Sequence, residues 1–340
     1  MKLDLQLLEK IFSIDSPTGF THNVIDFLEQ YINELGYETE RNKKGNLIVS
    51  VKGTTDYTVG ISSHVDTLGM MVRSVMPNGH LRITNLGGLL FPTLDGEYCR
   101  IHTRSGKVYT GTILSTSPSV HVYKDSRSKT RDEDNMYIRL DEKVTSKKDT
   151  IALGIDNGDF VAIDTKFEFT ESGYVKTRFL DDKASVFILV TYLQRLKEMN
   201  KVPECNLKVI FTTYEEVGHG ASQVPAIDEL LAVDMGCIGT DLSCTEEQVS
   251  ICAKDGSGPY DYKMVSKLIE LAKKEEINYS VDIYPFYSSD ASAALRGGAD
   301  IKGALIGPGI HASHGMERTH IEGIINTIKL VESYIDNINK

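Results

Sequence analysis

The feature that most limits the fold is an alternation of short apolar runs with longer amphipathic segments, which fills the chain after Thr165. A helix reads from about Asp182 to Met199, followed by strands at Leu207–Thr213 and Leu230–Met235 and a helix at Tyr260–Lys274. Strands at Tyr279–Tyr284 and Ile301–Ile306 come next, and a helix at Ile321–Ile338 closes the pattern. Such alternation is expected of a parallel or mixed sheet covered by helices. The expected fold class is α/β, a three-layer sandwich around a mixed central sheet. Before Thr165, helices at Leu3–Ile14 and Thr21–Leu35 are parted by the breaker Ser16-Pro17-Thr18-Gly19 and read as a covering layer. Strands at Glu38–Arg41, Leu47–Val51 and Tyr57–Ser63 follow, the last running straight into His64.

From about Ser74 to Thr165 the alternation gives way to short segments rich in Gly and Thr, such as Arg100–His102 and Lys107–Leu114, with no long helix. That is the pattern of a small β-barrel-like domain, inserted at 74–164 into a discontinuous main domain at 1–73 and 165–340. A chain of 340 residues has room for both. The charged stretch Tyr123–Asn135 reads as a solvated loop.

Composition narrows the function classes. The chain is 41% apolar, yet no run approaches the roughly 18 apolar residues of a membrane span. A net charge of -11 disfavours nucleic acid and anionic membranes as partners. The opening Met1-Lys2-Leu3-Asp4-Leu5-Gln6 has no apolar leader, so a cytoplasmic location is expected. The five cysteines include no C-x-x-C pair and read as reduced thiols.

Ligands of open α/β sheets bind beyond the carboxyl ends of the strands, so the residues just after strands are the first candidates for a site. Ser63-His64-Val65-Asp66 offers an imidazole, with Asp66 placed to accept its second ring N–H. Read alone, His-x-Asp is usually a polar turn. Leu180-Asp181-Asp182-Lys183 sets two acids at the mouth of a helix, where simple capping is an equal explanation. Glu215-Glu216 follows the apolar strand Val209-Ile210-Phe211, and buried paired carboxylates are costly without a cation. Asp234 sits in the apolar run Ala232-Val233-Asp234-Met235. One more histidine is expected from His311, His314 or His320, three within ten residues. Nitrogen and carboxylate donors in this number suit a hydrolytic site of two metal ions sharing one carboxylate. No G-x-S-x-G elbow and no Gly-rich phosphate loop competes with that reading.

In their order along the chain these motifs, with Glu215-Glu216-Val217-Gly218, Val233-Asp234 and Ser313-His314-Gly315-Met316-Glu317, resemble the metal-site motifs of the deblocking, glutamyl and leucyl aminopeptidases. The resemblance covers nearly the whole chain, including Leu153–Asp159 and Ser289-Asp290-Ala291. It implies a zinc-peptidase-like fold and two divalent ions per subunit, zinc first and cobalt or manganese as alternatives. It implies His64, Asp181 and Asp234 on one ion and Asp181, Glu216 and His314 on the other, with Asp181 as the bridge. Glu215 becomes the general base, Asp66 orients His64, and Asp182 supports the site from behind. Within Ser313–Glu317 the match favours His314 over His311 and His320; His219 is a loop residue or lines the substrate cleft. The substrates implied are short peptides cut at the N-terminus, and the assembly implied is a homo-oligomer of dimers, up to a dodecamer.

Two other functions keep the same residues. A carboxypeptidase or an N-acyl amino acid deacylase would use the same dinuclear core on a different bond. A scaffolding protein would retain a vestigial metal site without turnover.

Overall fold

The computed structural model describes Met1 and residues 3–338, so Lys2 of the opening segment lies outside the described residues. Two compact units divide the chain: Met1–Asp66 with Lys166–Lys340, and Thr67–Thr165. The smaller unit starts seven residues before the change of composition at Ser74. Its first strand, Gly69–Val75, is as apolar as a core strand, so composition marks the border late.

In chain order the larger unit opens with α1 (Leu5–Ser13), α2 (His22–Glu34), β1 (Glu38–Arg41), β2 (Leu47–Val51) and β3 (Thr58–His64). The smaller unit holds β4 (Gly69–Val75), β5 (Leu81–Leu86), β6 (Tyr98–His102), β7 (Val108–Ser115), β8 (Met136–Leu140), α3 (Lys147–Ala152) and β9 (Phe160–Ile163). Its strands close into a barrel in the order β4-β5-β8-β7-β6-β9. Inward side chains such as Val72, Ile83, Ile101, Ile113, Ile138 and Val161 are buried, and the alternate positions face outward, as closure of a small barrel requires.

The larger unit resumes with β10 (Glu168–Phe169), β11 (Tyr174–Thr177), α4 (Leu180–Glu198), β12 (Asn206–Thr212), β13 (Glu229–Val233), β14 (Gly236–Cys237) and β15 (Val249–Asp255). It ends with β16 (Gly258–Pro259), α5 (Tyr262–Lys274), β17 (Tyr279–Ile283), α6 (Asp290–Arg296), β18 (Lys302–Ile310), β19 (Glu317–His320) and α7 (Ile321–Asp336). The main sheet runs β1-β2-β12-β3-β13-β18-β15-β16, with β17 beside β15 and β14 beside β18. Its centre, β12, β3, β13 and β18, is parallel, whereas β2 and β15 run against their neighbours, so the sheet is mixed.

Alternate residues of the central strands feed two cores. Val209, Phe211, Leu231, Val233, Ala304 and Ile306 pack under α1, α2, α4, α5 and α7. Ile210, Leu230, Ala232 and Leu305 pack on the other face against Ala291 and Ala294 of α6. Both faces are therefore apolar, which is why these strands read as unbroken hydrophobic runs and why three layers result. The central helix α4 is buried on nearly every side from Leu180 to Leu193. Strand β15 and helix α6 were not expected from the sequence. β15 mixes Ser, Cys and Lys into its seven residues, and α6 is seven residues long, too short to show a helical period.

Candidate metal centre

The site forms where the parallel strands end. Strand β3 terminates at His64, in register with Thr212 of β12. Glu215 and Glu216 lie in a short helical turn just past β12, and Asp234 follows the last residue of β13. Gly307 on β18 lets the backbone pass this point, because a Cβ there would collide with the Asp234 carbonyl. Asp181 and Asp182 stand ahead of the regular part of α4, in non-helical conformations and joined by a cis peptide. They do not cap a first helical turn, the plainer of the two explanations for their position.

These segments bring the expected side chains together. His64 Nε2 is 3.0 Å from Asp181 Oδ1, while His314 Nε2 is 3.4 Å from Asp181 Oδ2, so one carboxylate meets a different imidazole with each oxygen. Asp234 Oδ2 lies 3.9 Å and Glu215 Oε2 3.8 Å from His64 Nε2, and Glu216 Oε2 lies 3.8 Å from His314 Nε2. Donor atoms of His64, Asp181 and Glu216 fall within 4.8 Å of one another, as do those of His64, Asp182 and Asp234. The other two histidines are placed elsewhere. His311 is exposed and pairs through its backbone with Arg318. His320 caps α7, its Nε2 2.9 Å from the Ser172 carbonyl and its Nδ1 accepting from the Glu322 amide, so both ring nitrogens are engaged.

Asp66 accepts the second ring N–H of His64, and does so with its main chain. The His64 Nδ1–H is taken by the Asp66 backbone carbonyl at 2.8 Å, and the carboxylate is 3.6 Å away. A carbonyl two residues on reaches the ring from the same turn, which leaves the carboxylate for other donors. It accepts from the amides of Glu215 at 3.1 Å and Glu216 at 3.3 Å, and from Thr18 Oγ1 at 2.7 Å. Asp66 therefore fixes the His64 tautomer through its backbone and the glutamate turn through its side chain. Asp182 Oδ2 in turn accepts from the His64 amide at 3.0 Å.

Residues with no role in the sequence reading complete the support. Asp290 accepts from Thr212 Oγ1 at 2.6 Å and from the Ala221 amide at 2.9 Å. Gly220 is required beside it, since a Cβ would lie 2.5 Å from Asp290 Oδ1 and 3.0 Å from the Glu215 nitrogen. On the other side of the turn, Asn46 donates to the Gly220 carbonyl and Lys44 to those of His219 and Gly220. His219 is exposed and its ring stacks on Tyr214 with centroids 5.0 Å apart. Glu317, noted only as part of a motif, accepts from the amides of Asp181 and His314.

The electrostatics call for cations. Burial pushes the carboxyls of Asp182, Glu215 and Glu216 well above the usual range, and neighbouring acids add to it. Asp234 is pushed up to about 7 by burial first and by Asp181 second. Burial would raise Asp181 as well, but hydrogen bonds from His314 and His64 outweigh it and hold Asp181 below the usual range. For His64 burial acts downward and is outweighed by Asp181, Asp66, Asp234 and Glu215, leaving the ring well above an ordinary imidazole. Asp182 Oδ1 and Glu216 Oε1 are buried with no hydrogen-bond partner among the described residues. Unpaired buried carboxylate oxygens are expensive, and a divalent cation is the partner that two imidazoles and several carboxylates would share. The donor set fits such ions.

Comparison with known proteins agrees with this geometry. The family described as M42 glutamyl aminopeptidase matches residues 45–330. YhfE of Bacillus subtilis (strain 168), provisionally named an aminopeptidase, is 46% identical over 336 residues, 98% of this chain and 97% of its own. Among solved structures, a TET aminopeptidase from a marine-sediment Thaumarchaeota archaeon superimposes with a TM-score of 0.89 at 21% identity, covering 98% of this chain and 96% of that one. The Pyrococcus horikoshii TET1 peptidase, which can assemble into a tetrahedron or a large octahedral shell, superimposes with a TM-score of 0.86 at 23% identity over 98% and 99%. This chain belongs to the M42 glutamyl aminopeptidase family. It is a hydrolase of the aminopeptidase class, from a metal-dependent family, on a TET-type fold.

Proposed function

We propose that the protein removes N-terminal residues from short peptides, using two divalent ions held by His64, Asp181 and Asp234 and by Asp181, Glu216 and His314. The observation that carries this reading is the Asp181 carboxylate, whose two oxygens face two different imidazoles at 3.0 and 3.4 Å. When bound, the ions would polarise the peptide carbonyl and ease ionisation of the attacking water. Zinc is the metal proposed, with cobalt and manganese as alternatives at the same donors.

Glu215 is the general base. Its Oε2 lies 3.8 Å from His64 Nε2, beside the proposed ligands, where a carboxylate can take a proton from water and return it to the leaving amine. Asp66 holds it in place through the Glu215 and Glu216 amides. A homo-oligomer of dimers, up to a dodecamer, in the cytoplasm completes the proposal, with the barrel unit as the assembly domain that limits access to short substrates. That reading is supported by likeness to proteins that assemble as shells.

Glu215→Gln tests the assignment. The variant should keep wild-type metal content while turnover of an aminoacyl chromogenic substrate falls roughly 100- to 10,000-fold. Near wild-type turnover would remove Glu215 from the role. Acetylating the N-terminus of the same peptide should abolish cleavage; efficient cleavage of the blocked form would favour a deacylase or carboxypeptidase.

A further inference from the structure

The two segments that present Asp181 and His314 are both irregular and lie far apart in sequence. Phe179, just before the first, is left-handed at φ 68°, and Asp181 itself has a non-helical ψ of 101°. In the second, Ala312 and His314 are left-handed at φ 60° and 64°, a conformation unfavourable for a residue with a side chain. Neither segment is held in a sheet ladder at the ligand itself. What joins them is Glu317, the first residue of β19, whose side chain is buried. Its Oε1 accepts the His314 amide at 2.8 Å and its Oε2 accepts the Asp181 amide at 3.1 Å. The adjacent Gly315 carbonyl is anchored by Arg178 at 3.2 Å.

We infer that Glu317 is a positioning residue, one carboxylate spanning the two ligand-bearing loops and setting the distance between Asp181 and His314. The inference rests on the metal site proposed above. A carboxylate suits this task because each of its oxygens accepts, whereas an amide accepts with one end and presents N–H to the other. Glu317 does not reach the reacting atoms, so its effect passes through metal affinity. Residues that orient metal ligands in this way typically change affinity roughly 10- to 100-fold when replaced.

The test uses the full chain, stripped of metal and titrated with zinc against a chromophoric chelator, for wild type, Glu317→Gln and Glu317→Asp. Wild type should take up two ions. In Glu317→Gln the ion at His314 should weaken roughly 10- to 100-fold while the other changes less. The lost kcat should return at saturating zinc, with KM for peptide nearly unchanged. The metal-stripped variant should stay folded and melt only a few degrees below stripped wild type, since one buried amide loses its acceptor. If Glu317→Gln does not fold, Glu317→Asp carries the test, because the shorter side chain cannot span both amides. Two ions bound with wild-type affinity in the folded variant would overturn the inference and leave the metal site standing. Loss of kcat that zinc does not restore would also overturn it. A wild-type chain that takes up no zinc would overturn the site itself, and this role with it.

Discussion

The two imidazoles of the site are held in opposite ways. His64 sits at the end of a central parallel strand, 1% exposed, with its amide on Asp182 and its ring on the Asp66 carbonyl. His314 stands in a left-handed loop, 35% exposed, with its amide tied to Glu317. One imidazole is part of the core and the other is attached to it. The difference predicts that removing each will separate stability from metal binding, because a buried, multiply bonded ring supports the fold while a loop ring supports mainly the ion.

The largest effect is expected from His64→Ala. It removes one of the two imidazoles that hold the buried Asp181 carboxylate, a loss of about 3 kcal/mol or more. The metal-stripped protein should then melt roughly 6–12 °C lower, and activity should disappear. His314→Ala should abolish activity and one bound ion while moving the stripped melting temperature by less than about 4 °C, the scale of about 1 kcal/mol. Equal destabilisation by the two substitutions in calorimetry would erase the distinction. The smallest effect is expected from Gly220→Ala, where the added Cβ must displace Asp290 or the Glu215 turn. It should lower kcat about tenfold with both ions still bound, because the added atom meets the turn at Glu215 rather than at Glu216. An unchanged kcat would mean that the turn tolerates the shift.

The same contrast explains how much of the site the sequence revealed. His64, Glu215, Glu216 and Asp234 were legible because each follows an apolar strand, and strand ends are where such sheets place their ligands. His314 follows no such rule: three histidines crowd that stretch, and motif order favoured one that only the loop geometry brings to Asp181. Asp66 was found but not the atom it uses, since sequence spacing does not distinguish a carbonyl from a carboxylate two residues on. The supporting roles of Asp290 and Glu317 could not be read, because each links segments 69 to 136 residues apart. For the fold, strands buried on both faces announced the sandwich, while β15 and α6 were too polar or too short to stand out.

The central claim is that Asp181 bridges two ions. Anomalous diffraction at the zinc edge, from crystals of the zinc-loaded chain, tests it most directly. Two peaks roughly 3.5–4 Å apart on either side of the Asp181 carboxylate are predicted. A single peak, or a pair that does not share Asp181, would contradict it.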